Sequence, residues 1–245
     1  MRCCGRRLLA LLLILCCLPL NVLAMQLDER AYNKLKNMHF SVLIVGDSQL
    51  AGAGWEGGYG NCIRESYANA EVTNVAVSGS RLSKDGIFSQ WEQYMAAGNE
   101  APDFVLLDGG FNDLPLLRHL DYSREALEVV KNELVTLIES IHKANPDVHI
   151  IYITIPPLVE WKDSTSGPPS YTIQELYWKE IREVINAYNY VTMLDLFSIN
   201  PFQYPRSDSY RTYFKDSLHM NEAGYRKTYE YIDNILLVQL AKMGS

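Results

Sequence analysis

The sequence predicts an α/β fold in which a parallel sheet of about five strands carries helices on both faces. Short apolar runs alternate along the chain with longer segments whose apolar residues recur at helical spacing. The runs are continuous, as in Phe104-Val105-Leu106-Leu107, which is the pattern of strands buried on both faces. The 245 residues are 48% hydrophobic and 21% charged, enough for one substantial core, and no linker, low-complexity run or internal repeat divides them. We therefore expect a single domain over residues 25–245.

Residues 1–24 stand apart. Arg2, Arg6 and Arg7 precede the apolar run from Leu8 to Leu18, and Pro19 and Val22-Leu23-Ala24 close the segment. Positive start, apolar centre and small-residue exit predict a secretory signal peptide, and the run is short for a spanning helix. A retained N-terminal anchor is the alternative. A lipoprotein is disfavoured because Leu15, not a small residue, precedes Cys16. Removal of the segment takes away Cys3, Cys4, Cys16 and Cys17 and leaves Cys62 alone, so the expected exported protein has no internal disulfide. It also takes three of the 22 basic residues, leaving 19 against 29 acidic ones and a net charge of −10. That charge disfavours nucleic acid and anionic surfaces as partners. No Asn-x-Ser/Thr site occurs, which suits bacterial export.

Leu27 to Met38 reads as an amphipathic helix. The first strand, 40–45, stops at Gly46-Asp47-Ser48-Gln49. A glycine-rich loop with Gly52, Gly54, Gly57, Gly58 and Gly60 follows. It lacks the Gly-Lys-Ser/Thr ending of a nucleotide loop, so a substrate-side loop or a plain connection is expected, then a helix from about Tyr59 to Asn69. A second strand, Glu71 to Val77, ends in Ser78-Gly79-Ser80, and a helix spans about Leu82 to Ala97. The third strand, Asp103 to Leu107, stops at Asp108-Gly109-Gly110-Phe111-Asn112-Asp113. A long helix from Ser123, as N-cap, to Ala144 carries the stripe Leu127, Val130, Leu134, Leu137, Ile138, Ile141. The fourth strand, Val148 to Ile155, is stopped by Pro156-Pro157. A polar loop precedes the capping-box spacing Thr172-Ile173-Gln174-Glu175 and a helix to Tyr188. A fifth strand covers Tyr190 to Leu196, and a long aromatic loop leads to a last helix starting near Asn221.

In such a fold ligands gather at the carboxyl ends of the strands. Ser48, Gly79, Asn112 and the loop with Asp216 and His219 all fall there. Singly each is ordinary: a turn serine, a turn glycine, a capping asparagine, a solvated acid. Jointly they supply acyl-transfer chemistry. Serine needs a base and an orienting group, and Asp216-Ser217-Leu218-His219 allows the carboxylate to fold back onto the imidazole. The N–H groups of Ser48 and Gly79 and the Asn112 amide are candidate oxyanion donors. His39, His119, His142 and His149 receive no role. The Gly-x-Ser-x-Gly elbow of α/β-hydrolases does not fit, because Leu50 takes its last position.

These four blocks resemble those of the SGNH (GDSL-type) hydrolases. Gly46-Asp47-Ser48 is similar to the nucleophile block and Gly79 to the oxyanion glycine. Gly110-Phe111-Asn112-Asp113 is similar to the Gly-x-Asn-Asp block, and Asp216-Ser217-Leu218-His219 to the Asp-x-x-His block. The resemblance spans residues 40–225, with Gln49 departing from the family's leucine, a change expected to tune packing. It implies a three-layer α/β/α, flavodoxin-like fold and ester hydrolysis with no cofactor and no metal. Ser48, Asp216 and His219 would be the catalytic residues, and Ser48, Gly79 and Asn112 the oxyanion hole. The expected partner is a small-molecule or polysaccharide ester, carbohydrate acetyl esters first, with Trp55, Trp161, Tyr204, Tyr210 and Tyr213 available to stack on sugars. A lysophospholipase, lipase or thioesterase, an acyltransferase, and an inactive binding protein are the alternatives. Neither nucleic acid nor a membrane span after signal cleavage is expected.

Overall fold

The computed structural model describes residues 29–82, 86–113, 124–157, 171–203 and 207–244. Helix α1 (Glu29–Lys36) leads into β1 (Phe40–Val45), the short α2 (Ser48–Ala51), α3 (Gly58–Ser66) and β2 (Ala70–Asn74). Then come α4 (Ile87–Ala96), β3 (Phe104–Leu107), a 3-10 turn at Phe111–Asp113, α5 (Arg124–Ala144) and β4 (His149–Ile153). Helix α6 (Tyr171–Ile185), β5 (Val191–Leu194), α7 (Leu196–Ile199), α8 (Ser207–Tyr213) and α9 (Glu222–Met243) complete the chain.

All five strands pair in parallel in the order β2-β1-β3-β4-β5. α1, α3 and α9 pack together on one face and α4, α5 and α6 on the other, giving three layers. The residues of β1, β3 and β4 are almost all buried, as their unbroken apolar runs require, whereas edge strand β2 is largely exposed. The predicted stripe of α5 is buried throughout, and so are Tyr225, Tyr229, Ile232, Leu236 and Leu240 of α9. Each such side chain contributes roughly 1.5–3 kcal/mol on burial. Asn221 caps α9, its side chain accepting the Gly224 N–H at 3.1 Å.

Several boundaries shift. β2 ends at Asn74, three residues early. There the Asn74 side chain accepts the Ala76 N–H and donates to the Leu50 carbonyl, which bends the strand. α6 is already helical at Tyr171, whose ring packs on Phe197 at 4.8 Å, so Thr172 lies inside the first turn rather than at the cap. α2, α7 and α8 lie in stretches read as loop. The predicted signal peptide, the Ser123 cap, His119, Trp161 and Tyr204 fall outside the described residues. Among the described residues no helix is long and apolar enough to cross a membrane.

Candidate active site

β1 runs directly into Gly46-Asp47-Ser48, and Ser48 opens α2. Asp47 caps that helix, its carboxylate accepting the Gln49 N–H at 2.9 Å. The cap satisfies a donor the helix cannot bond internally and turns the chain, so the serine sits where the strand ends. Ser48 is 8% exposed.

Gly46 is gripped from two sides. Gln90 of α4 accepts its N–H and donates to its carbonyl, each at 2.9 Å, and also donates to Ser80 Oγ at 3.0 Å. From the other side comes Asp108, which the β1–β3 register sets opposite Gly46. Asp108 Oδ1 accepts the Asp47 N–H at 2.7 Å and lies 1.8 Å from where a Cβ on residue 46 would be. Only glycine fits this approach.

Gly79 and Asn112 reach the same strand end. The N–H groups of Val75 and Val77 donate to the carbonyls of Ile44 and Gly46, carrying the pairing past the end of β2. A turn closed by Ser80 N–H on the Val77 carbonyl then exposes Gly79 in left-handed backbone, φ 83°. Asn112 donates to the Ser80 carbonyl at 2.9 Å and to Asp47 Oδ2 at 3.1 Å, joining the exits of β1, β2 and β3.

The fourth block arrives from the far end of the chain. Asp216 Oδ1 accepts the N–H groups of Leu218 and His219 at 2.8 and 2.7 Å, and Oδ2 meets His219 Nδ1 at 2.8 Å. Burial pushes the Asp216 carboxyl up, but these bonds outweigh it and hold the group below its ordinary value. Gln49 Nε2 donates to the Leu218 carbonyl at 2.8 Å, which fastens this loop to the Ser48 turn. Gly54 packs so closely on Met220 that a Cβ there would lie 1.8 Å from the Met220 carbonyl oxygen and 3.2 Å from His219 Cβ. Among the described residues no hydrogen bond of 3.5 Å or less joins Ser48 Oγ to His219. Such bonds are often long before substrate binds.

Under the turn, Asp47, Asp108 and Asp113 are all buried. Asp113 accepts the Leu82 N–H at 2.9 Å. Burial pushes both Asp47 and Asp108 up, Asp108 the further because Asp47 lies beside it. Asp47 is favoured as the anion by its bonds from Gln49 and Asn112 and by attraction to His219. Asp108 is the member pushed further toward its protonated form. Its Oδ2 and Gln49 Oε1 have no hydrogen-bond partner among the described residues, and Asp108 and Gln49 line one small cavity with Thr154 and Met220.

Residues 44–227 match the GDSL-like Lipase/Acylhydrolase family. The chain belongs to that family. As a GDSL-family member it is a serine ester hydrolase. Solved structures share the fold. A Lactobacillus plantarum protein is 21% identical over 80% of this chain and 97% of its own, with a TM-score of 0.63. An acetylxylan esterase from Geobacillus stearothermophilus is 20% identical over 82% and 95%, TM-score 0.58. A family 3 carbohydrate esterase from Clostridium thermocellum is 21% identical over 83% and 98%, TM-score 0.56. No curated protein sequence matches.

The aromatic residues of this GDSL hydrolase are less free than expected. Trp55 is flanked by the Arg226 guanidinium at 5.1 Å and tilts against Tyr225, and Tyr213 packs on Phe202 with Lys227 over its ring. Sequence reasoning assigned no role to Gln90 or Asp108. The signal for Gln90 was a polar residue on the apolar face of its helix, beside Ile87 and Trp91. For Asp108 it was an acid directly continuing an apolar run.

Proposed function

We propose that the chain is an exported serine esterase that removes acetyl groups from carbohydrate. Residues 1–24 serve as its signal peptide and residues 25–245 as a single catalytic domain. Ser48 Oγ attacks the ester carbonyl as His219 Nε2 takes its proton. The imidazolium then protonates the departing alcohol, and water repeats the sequence to release the acid. Asp216, bonded to Nδ1, selects the tautomer with a free Nε2 lone pair and favours the imidazolium. The oxyanion is received by the Ser48 and Gly79 N–H groups and the Asn112 amide. Of the two bonds Asn112 makes, the longer one, to Asp47, is exchanged for it.

The observation that carries this reading is the Asp216–His219 pair fastened to the Ser48 turn. Support for carbohydrate as the alcohol comes from the two sugar esterases that share the fold and from the acidity of residues 25–245, which suits a neutral substrate. A second reading, a lipase or lysophospholipase, is favoured by a groove of about 490 Å³ between the β2 segment and α4. It is lined by Thr73, Val75, Val77 and Tyr94 and reaches Ser80.

Assayed on p-nitrophenyl acetate, Ser48→Ala is expected to lose about 10³-fold or more in kcat. Asn112→Ala should lose about 10²–10³-fold. Wild-type turnover in Ser48→Ala would end the proposal. Activity should fall on the acid side, since an imidazolium cannot act as a base. Acetylated xylo-oligosaccharides against esters of lengthening acyl chain separate the two readings, with the first predicting preference for acetyl. N-terminal sequencing of the exported protein tests cleavage after Ala24.

A further inference from the structure

Gln49 in the Ser48 turn and Leu218 in the His219 loop are 169 residues apart and are joined by a side-chain hydrogen bond. Gln49 follows the candidate nucleophile directly. Its Nε2 donates to the carbonyl of Leu218, the residue just before His219, at 2.8 Å. Its own carbonyl accepts from Tyr225 Oη at 2.6 Å, so the cross-link is itself anchored on α9. The residue is 5% exposed, where water competes little with such a bond. An apolar residue of similar size, such as the leucine the family carries here, could fill the space but could not make the bond.

We propose that Gln49 is a positioning residue that sets the distance between Ser48 and His219 by holding the Leu218 carbonyl. The proposal rests on Ser48 and His219 being nucleophile and base. Their hydroxyl and imidazole are not joined by a hydrogen bond among the described residues. Their approach is therefore fixed by the backbones that carry them. Lys215 Nζ on the Ala53 carbonyl at 3.3 Å and the packing of Gly54 on Met220 and His219 also brace the loop, but Gln49 is the residue next to Ser48 that bonds to the residue next to His219. The Leu218 carbonyl can only accept, so the Gln49 amide must turn Nε2 toward it. The amide thus has one orientation, with its donor toward the histidine loop.

The test compares wild type, Gln49→Leu, Gln49→Met and Ser48→Ala in kcat, KM and Tm on p-nitrophenyl acetate. Both Gln49 variants keep the volume and remove the donor. The expected result is a fall in kcat of about 10-fold or more with KM within about twofold, because a small misplacement of reacting groups costs rate rather than binding. Tm should stay within about 4 °C, the shift of roughly one hydrogen bond in a domain of this size. Wild-type kcat in either folded variant overturns the proposal and leaves Gln49 as packing. So does a kcat loss fully accounted for by thermal unfolding at the assay temperature. If Gln49→Leu fails to fold, Gln49→Met decides. Undiminished activity in Ser48→Ala would remove the catalytic reading itself, while an inactive Ser48→Ala beside wild-type Gln49 variants removes only this inference.

Discussion

Asp108 lies 3% exposed beneath the turn that carries Ser48, with Asp47 beside it and a small cavity alongside. Burial and the neighbouring charge raise its proton affinity in the folded protein. In the unfolded chain it titrates near the ordinary value of about 4. Above that pH the folded state binds the extra proton, so the contribution of Asp108 to stability declines as pH rises. Asp108→Asn removes that decline while its amide oxygen still accepts the Asp47 N–H. At pH 7 the variant should melt about 2–4 °C above wild type, the shift of about 1 kcal/mol in a domain of this length. The difference should vanish as pH falls to about 4. Melting curves across that range check it, and a gain that does not depend on pH would contradict the account. Asp216 has the opposite sign. Its carboxyl is held low in the fold, so its contribution is present above the ordinary carboxylate range and is lost as pH drops through the folded value.

At the scale of elements, the end of β1 is held by a helix as well as by strands. Gln90 of α4 forms a two-point amide clasp on Gly46, giving its N–H an acceptor and its carbonyl a second donor beside the Val77 N–H. Gln90→Leu keeps the apolar contacts of α4 but leaves the Gly46 N–H without its partner in a dry site. A buried donor stripped of its acceptor costs about 1–3 kcal/mol, so the urea midpoint should fall accordingly with the slope unchanged. Esterase activity should fall with it even under folding conditions, because Gly46, two residues before Ser48, and Ser80 lose a common support. The histidine loop depends on packing against the glycine-rich stretch before α3, where Gly54 admits the Met220 carbonyl. Those glycines, read from sequence as a substrate-side loop or a plain connection, act in part as a seat for the loop that brings His219.

At the scale of the whole molecule, the chain starts the sheet at β1, adds β2 on one side and then β3, β4 and β5 on the other. The exits of β1 and β3 part at this switch point, the crevice where α/β folds bind ligands. Ser48 and Asn112 stand on its two sides. Cys62, the cysteine among the described residues, is a free thiol buried on α3 between sheet and α9. Burial pushes that thiol up to about 11, so it is protonated as well as shielded. In protein lacking residues 1–24, Ellman's reagent should therefore read no fast thiol in buffer and one in urea. Its reaction should track the same transition as far-UV circular dichroism, and fast labelling of the native protein would show that α3 opens independently.

The alternation of apolar runs with helical stripes determined the fold class, because an all-apolar strand has nowhere to lie except between two layers. Ser48, Gly79 and Asn112, each following a strand, determined much of the candidate site in the same way: strand ends in a parallel sheet share one edge, and the loop before α9 brings Asp216 and His219 to it. The start of α9 near Asn221 was legible as well, whereas α2 and its Asp47 cap lie in a stretch read as loop, because a four-residue helix carries no apolar periodicity. Other features depended on contacts across tens to hundreds of residues, which no local pattern encodes. The register that presses Asp108 against Gly46, the reach of Gln90 from another layer and the bond from Gln49 to Leu218 belong to this class. So does the covering of Trp55 by Arg226 and Tyr225. The sequence determined which groups are available for catalysis, and the tertiary structure decided which buried side chains hold them, because hydrogen bonds between distant segments exist only once the layers are packed.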